Sequence, residues 1–149
     1  MIVEEYIKRT VGTSDALGQL QSSIIKSFRS VSFKFFWRNW NPLFGYYLSK
    51  MINRPVARKF NGVISSLFTF LFSGIILHDI WIMPLFYILL HKIVFFPVTI
   101  IFFCFWLVMI FENSIKFRKD IKNSNIHVLI NLIYVIGCSI LGGLISSII

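Results

Sequence analysis

Three long stretches without a charged residue limit the fold of this chain more than any other feature. They cover residues 60–77, 93–111 and 128–149. A helix needs about 20 apolar residues to cross the hydrocarbon core of a bilayer, with about 17–25 as the working range. The whole chain is 56% hydrophobic, and its mean hydropathy is +0.76. The sequence therefore predicts an all-α integral membrane protein with about three transmembrane helices.

The N-terminal segment, residues 1–30, differs from the rest because it is polar. Thr13-Ser14-Asp15 offers the N-cap chemistry that starts a helix. Apolar residues then recur at helical spacing: Leu17, Leu20, Ile24, Ile25 and Phe28. This pattern predicts an amphipathic helix that lies in the membrane interface or packs on the membrane domain.

Residues 31–149 are predicted to form the membrane domain. Its first part, residues 31–59, mixes aromatic and basic side chains, which favour the head-group level of a bilayer. We expect short interfacial helices there, broken near Asn41-Pro42, because proline suits the first position of a helix. The spans follow at about residues 62–82, 93–111 and 128–149. The first span ends near Trp81 or continues towards Leu90 as a long helix.

The basic residues are placed so that they predict a topology. Residues 1–60 contain ten Lys/Arg and three acids, and four more basic residues lie between the second and third spans. Cytoplasmic loops of membrane proteins carry an excess of Lys and Arg. We therefore expect the N-terminus in the cytoplasm and the C-terminus on the opposite side of the membrane.

The net charge of +9 indicates that the basic surface faces either the anionic head groups of the lipid bilayer or an anionic substrate. Nucleic acid is not expected, because no soluble basic module presents these charges. Cys104 and Cys138 lie inside two spans, where cysteines are more often packing residues than a disulfide. Neither has a second Cys or a His at metal-ligand spacing, so no metal site is expected.

Two stripes of small residues run along the third span, Cys138-Gly142-Ser146 and Ser139-Gly143-Ser147. Small residues at every fourth position let two helices approach closely. We expect the second stripe in particular to pack on another helix, in this chain or in another one.

The pair His78-Asp79 stands in an otherwise apolar segment. Ionisable groups within a span are costly and suggest a functional site. The alternative is that the pair marks the end of the first span, where water begins. Gly74 lies one turn before His78, so this face of the helix would leave room for a ligand beside the imidazole. Asp79 points about 100° away around the helix and would orient neighbouring groups.

A second polar feature is the sequence FWRNWN at residues 36–41. Taken alone, it is typical of an aromatic belt with a snorkelling arginine at the membrane surface. The order of the two features carries more information than either one, because FWRNWN precedes a membrane helix that contains a His-Asp pair.

The stretch FFWRNWNPLFGYYLSKMINRP, followed by SSLFTFLFSGIILHD, resembles the signature region of the membrane-bound O-acyltransferases. The resemblance runs from about Phe33 to Asp79, about a third of the chain. The matching positions are Phe36, Trp37, Trp40, Asn41, Arg54, Pro55, Ser73, Gly74, His78 and Asp79.

This resemblance implies transfer of an acyl group from an activated thioester, on coenzyme A or an acyl carrier, to a hydroxyl acceptor, with no bound cofactor. His78 and Asn41 would be the catalytic residues. The neutral imidazole would accept the hydroxyl proton, and the amide would position the substrate carbonyl. Substrate binding would involve five neighbouring residues: Trp37, Arg38, Trp40, Gly74 and Asp79.

The chain is shorter than members of that family, which enclose a reaction chamber with more helices. Three spans cannot enclose a substrate tunnel, so a homo-oligomer or a second membrane subunit would complete the chamber. The alternative is a non-catalytic membrane interaction protein, with its basic surface on lipid and its small-residue helix on a partner. A small transporter or channel would need more polar residues inside the spans.

Overall fold

The structure, a computed structural model, describes residues 3–12, 16–91, 96–115, 118 and 121–148. All regular secondary structure in these ranges is helical. The α-helices are α1 (Val3–Val11), α2 (Ala16–Phe28), α3 (Phe33–Trp40), α4 (Pro42–Leu48), α5 (Arg54–Ala57), α6 (Gly62–Phe72), α7 (Ile80–Leu90), α8 (Pro97–Ile115) and α9 (Ser124–Ile148). Two π-helical segments, Ser49–Asn53 and Ser73–Asp79, join α4 to α5 and α6 to α7 without a break.

Three helical stretches of the described residues are long and apolar enough to cross a bilayer: Gly62–Leu89, Pro97–Ile115 and Ser124–Ile148. They confirm the predicted all-α membrane fold. The first is the longer of the two alternatives, since it passes through Pro84 and ends at His91, whose φ of 49° is left-handed. The predicted N-cap at residues 13–15 lies outside the described residues.

The chain folds as two compact units. Unit 1 comprises Met1–Met51 and Met109–Ile133, and unit 2 comprises Ile52–Val108 and Tyr134–Ile149. Both α8 and α9 therefore contribute residues to each unit, while α1 to α4 belong to unit 1 and α6 and α7 to unit 2.

In unit 1, α2 packs on α3 through aromatic rings. Phe33 and Phe36 are 0% and 1% exposed. The Phe36 ring stacks on Trp40 with 5.4 Å between centroids, and it meets Phe28 of α2 edge-on at the same distance. Each such pair contributes about 0.5–1.5 kcal/mol beyond its buried area. Phe36 and Trp40 of the FWRNWN sequence therefore form part of the packed contact between α2 and α3.

The polarity of α2 is the reverse of that in a water-soluble protein. Its buried side carries Ser23 and Ser27, whose hydroxyls donate to the carbonyls of Leu20 and Ser23 in the preceding turn. Its outer side carries Leu17, Leu20 and Ile24, which are 82%, 59% and 40% exposed. Polar groups satisfied inside and apolar side chains outside are typical of a segment that contacts lipid. Of the two predicted positions for this helix, the structure shows packing on the membrane domain, because α2 packs on α3, and the apolar outer side of α2 suits contact with lipid.

In unit 2, the α6–α7 stretch packs on α8. Trp106 Nε1 donates to the Ser66 hydroxyl at 3.0 Å. α8 in turn packs on α9, where a Cβ added to Gly142 would lie 2.9 Å from the Ile101 Cα atom. A glycine is therefore required at residue 142 for the two helices to approach this closely.

In the part of the chain that the structure describes, a helix packs closely on one of the two small-residue stripes of α9. Cys138, Gly142 and Ser146 are all buried. By contrast, a Cβ added to Gly143 would meet nothing within 4 Å among the described residues. The described residues therefore provide no helix contact at Gly143, where the sequence predicts a partner in this chain or in another one. The two stripes lie about 100° apart around the helix, so both cannot face α8. Contact of the second stripe with another chain stays a prediction.

Candidate functional site

The motif SGIILHD is the π-helical segment Ser73–Asp79 that joins α6 to α7. In a π-helix each backbone N–H bonds to the carbonyl five residues earlier, so an extra residue is accommodated and side chains are redirected. Such segments are rare, and they occur frequently at functional sites. Ser73, Gly74 and Asp79 are buried here, and His78 is half-buried.

The His78 imidazole has a defined orientation. Its Nδ1 lies 2.8 Å from the backbone oxygen of Ser73, and its ring centroid lies 5.2 Å from that of Phe102 in α8. A carbonyl oxygen only accepts hydrogen bonds, so Nδ1 carries the proton when the ring is neutral. The lone pair then lies on Nε2. In this tautomer the ring can accept a proton from a hydroxyl group that approaches Nε2.

Asp79 is 0% exposed, and its carboxylate lies at the N-terminus of α8. Oδ1 accepts the Val98 N–H at 2.9 Å, and Oδ2 accepts the N–H and the hydroxyl of Thr99 at 2.8 and 2.6 Å. A carboxylate at this position satisfies donors that have no partner within the helix, and the helix dipole favours its charge. The group that Asp79 orients is therefore α8. A substrate contact through the same oxygens would compete with three donors.

The space beside Gly74 is filled. A Cβ at this residue would lie 2.6 Å from the Thr99 Cα atom and 2.8 Å from its hydroxyl oxygen. The expected room for a ligand at Gly74 is therefore occupied by α8, which corrects the interpretation from sequence. The glycine permits the close approach that brings Thr99 to Asp79.

In unit 1, Asn41 lies between α3 and α4. Its Oδ1 accepts the Phe44 N–H at 3.1 Å, and Pro42 is the first residue of α4, as predicted. Pro42 fits there because the first helical N–H has no partner within the helix. Asn41 therefore has a local structural role, whatever its role towards a substrate.

The other predicted residues of FWRNWN surround the α3 core. Trp37 is half-buried, and its ring lies 5.3 Å from that of Phe36. Trp40 is 41% exposed. The Arg38 guanidinium lies 4.3 Å above the Phe35 ring, within the range of a cation–π contact. The structure thus brings Trp37, Arg38, Trp40 and Asn41 together in unit 1, and Gly74, His78 and Asp79 together in unit 2.

Reasoning from sequence missed a buried polar cluster in unit 1. Nε of Arg118 lies 2.8 Å from Oε1 of Glu112, and the two side chains are 3% and 5% exposed. Glu112 Oε2 also accepts the N–H of Phe33, the first residue of α3, at 2.7 Å. Arg118 Nη2 donates to Asn131 Oδ1 at 2.8 Å, and Asn131 Nδ2 donates to the Phe28 carbonyl at 2.7 Å. The sequence features that could have indicated this cluster are Glu112, directly after the apolar stretch 93–111, and Asn131, near the start of the stretch 128–149.

Two cavities of unit 1 reach Val31, in the turn between α2 and α3. The smaller has about 170 Å³, and its lining includes Glu112 and Arg118. The larger has about 450 Å³, and its lining includes Lys26 and Arg29. Small-molecule sites generally occupy about 300–1,000 Å³, so only the larger cavity reaches that size.

Within the described ranges, no three His, Cys, Asp or Glu side chains are grouped so that they could hold a metal ion. No family model matches the sequence, and no curated protein or solved structure matches it either. The chemistry of the site therefore rests on the residues of this chain.

Proposed function

We propose that this integral membrane protein carries out O-acyl transfer, with His78 as the general base. The observation that supports this best is the contact between His78 Nδ1 and the Ser73 carbonyl, which directs a basic Nε2 away from its own helix turn. As the acceptor hydroxyl attacks the thioester carbonyl, its proton passes to Nε2. The C–S bond then breaks, and the departing thiolate takes up that proton. The products are an ester and a free thiol.

In unit 1, the proposal assigns the amide N–H of Asn41 to binding of the acyl donor, because the amide oxygen already accepts the Phe44 N–H. Trp37 and Trp40 provide an apolar surface for the acyl donor, and Arg38 binds a phosphate of the donor. Gly74 and Asp79 act by positioning the π-helical segment against α8.

The test follows a labelled acyl group from an acyl thioester to a diacylglycerol, sterol or oligosaccharide hydroxyl, with the protein in native membranes. His78→Asn retains an amide that can reach the Ser73 carbonyl, but it lacks Nε2. Loss of a positioned base lowers the rate by about 10²–10⁴-fold. His91→Asn, at the exposed end of α7, is the matched control and should transfer at the wild-type rate.

Full activity in a folded His78→Asn protein would exclude His78 as the base. Absence of transfer by the wild type in native membranes, across the acceptor panel, would exclude the enzyme and favour the second candidate. Insertion and folding of each variant are checked by its melting temperature in detergent.

A second candidate function is that of a non-catalytic partner subunit, and the open face at Gly143 supports it. A second copy or another membrane protein would cover this face, and the same contact would complete a reaction chamber if the chain is an enzyme. Cysteine crosslinking at Ser147, compared with exposed Leu129 on the same helix, distinguishes this contact from lipid exposure. Equal crosslinking at both residues would argue against a partner there.

We also propose that the N-terminus lies in the cytoplasm and the C-terminus on the other side, because ten of the fifteen basic residues precede residue 61. Reporter fusions after residues 30, 122 and 149 test the proposal. A cytoplasmic signal from the fusion at residue 149 would overturn it.

A further inference from the structure

The charge distribution of the chain is one-sided over a long stretch. Residues 16–78 contain eight Lys/Arg and no Asp or Glu. This stretch includes every residue from the start of α2 to His78, the last residue but one of the second π-helical segment. A surface built only from these residues attracts anions and has no carboxylate of its own to compete for its cations.

The cavity of about 450 Å³ in unit 1 is built entirely from this stretch. We call it the α2–α3 groove. One wall is apolar, with Ile25, Val31 and Phe35, which are 44%, 56% and 38% exposed. The other wall is polar and basic, and it consists of Lys26, Arg29, Ser30 and Asn39. The groove therefore presents an apolar surface beside two positive charges.

The polar wall is ordered by its own hydrogen bonds. Asn39 Nδ2 donates to the Ser30 hydroxyl at 3.0 Å, and that hydroxyl donates to the Lys26 carbonyl at 2.7 Å. The Lys26 ammonium donates to the Thr10 carbonyl of α1 at 2.9 Å. Arg29, in the turn that follows α2, is exposed. The position of the Lys26 charge relative to the apolar wall is thus defined before any ligand binds, and the exposed Arg29 side chain is accessible to a ligand.

We propose that the α2–α3 groove binds one anionic phospholipid, with its phosphate at Arg29 and Lys26 and an acyl chain along Ile25, Val31 and Phe35. A phosphate oxygen and a guanidinium form strong charge-assisted hydrogen bonds. The apolar wall selects a lipid over a soluble phosphate, because a free anion would leave this wall exposed to water. The outward-facing leucines and isoleucines of α2 place the groove at a lipid surface, where such a ligand is abundant.

This binding is separate from acyl transfer, because none of the groove residues is among those proposed to touch the acyl donor or acceptor. Failure of one proposal therefore leaves the other in place. It also differs from general attraction to a charged membrane, because it assigns the effect to Arg29 and Lys26 rather than to every cation of the chain.

The test measures binding of fluorescent phosphatidylglycerol to the full-length protein in phosphatidylcholine nanodiscs. Arg29→Gln should weaken binding by about fivefold, the usual effect of one cation at a membrane surface. Lys59→Gln is the matched control, since Lys59 is equally exposed but lies in unit 2. It should leave the affinity unchanged, and Arg29→Lys should retain most of the binding. Equal weakening by Arg29→Gln and Lys59→Gln would overturn the site in favour of diffuse attraction.

Two further measurements distinguish the ligand classes. Val31→Ser should weaken binding of long-chain phosphatidylglycerol and leave a short-chain analogue unaffected, because only the long chain reaches the apolar wall. Inorganic phosphate and a coenzyme A thioester should not displace the labelled lipid. Displacement by either at a concentration comparable to that of the lipid would overturn the lipid assignment and make the groove a phosphate site for a soluble anion. The melting temperature of each variant verifies that it is folded.

Discussion

Two carboxylates of this protein lie at the N-terminus of a helix to which they do not belong, and their charges are compensated in different ways. In unit 1, Glu112 accepts the N–H of Phe33 at the start of α3, and the Arg118 guanidinium lies 2.8 Å away. In unit 2, Asp79 accepts two backbone N–H groups and one hydroxyl at the start of α8. One carboxylate thus has a cation beside it, and the other has three neutral donors.

The difference predicts different responses to mutation. When one partner of a buried ion pair is removed, the other charge is left uncompensated, which costs about 3–5 kcal/mol. When a carboxylate bound only by neutral donors is removed, the groups left behind are neutral and cost about 1–3 kcal/mol each. Arg118 also donates to the Ser30 carbonyl at 3.2 Å, after the end of α2, where the helix dipole favours a cation. The ion pair therefore joins the end of α2 to the start of α3.

The largest effect is expected for Glu112→Gln, which should lower the free energy of unfolding by about 3–5 kcal/mol. The reason is that the Arg118 charge then lies buried without its carboxylate. Unfolding of the detergent-solubilised protein by SDS titration measures the loss. Glu5→Gln, an exposed acid of α1, is the matched control and should change little.

The double variant Glu112→Gln/Arg118→Met sharpens this prediction. It removes the uncompensated charge, so its destabilisation should be smaller than the sum of the two single effects. Strictly additive effects would mean that the two side chains act independently, and the comparison between the two carboxylates would then fail.

Asp79→Asn should have a smaller effect, a loss of about 1–3 kcal/mol. The amide oxygen can take the place of Oδ2 and accept both donors of Thr99, but the amide nitrogen is itself a donor, so the Val98 N–H alone loses its acceptor. The same SDS titration measures the loss. Asn131→Asp is not a suitable control, because it adds a charge to the cluster of Glu112 and Arg118 in unit 1. A loss equal to that of Glu112→Gln would show that neutral donors and a cation compensate a buried carboxylate equally.

The sequence predicts local features of both regions well, because they depend on neighbouring residues. The apolar runs predicted the three long helices, and Pro42 predicted the start of α4. The contacts of the two carboxylates depend on packing instead. Asp79 and Thr99 are 20 residues apart, and Glu112 and Phe33 are 79 apart. The periodicity of α2 likewise predicts an amphipathic helix, but it cannot tell which face points outward.

Gly74→Ala should cost about 1–2 kcal/mol, the lower part of the usual range for overpacking. The new methyl group would lie 2.6 Å from the Thr99 Cα atom, so α8 must move and the bonds from Thr99 to Asp79 must lengthen. Gly45→Ala in α4 is the matched control, because among the described residues no atom outside its own helix backbone and chain neighbours lies within 4 Å of its Cβ position. It should be neutral or stabilising, since alanine favours a helix over glycine. Equal stability of the two variants would contradict the close approach at Gly74.

The smallest effect is expected for Ser32→Ala, at the start of α3. Ser32 Oγ accepts the Phe35 N–H at 3.3 Å, a long bond, while Glu112 already provides a carboxylate at the same helix end. The loss should therefore be about 0.5–1 kcal/mol, in the lower part of the range for N-cap residues. α8 is different, because the side chain of the residue before it, Phe96, has no acceptor and Asp79 has to supply one. Ser32→Thr retains the hydroxyl and should unfold like the wild type in the same titration. If Ser32→Ala costs as much as Asp79→Asn, then the local cap and not Glu112 stabilises the start of α3, and the two carboxylates do not have equivalent positions.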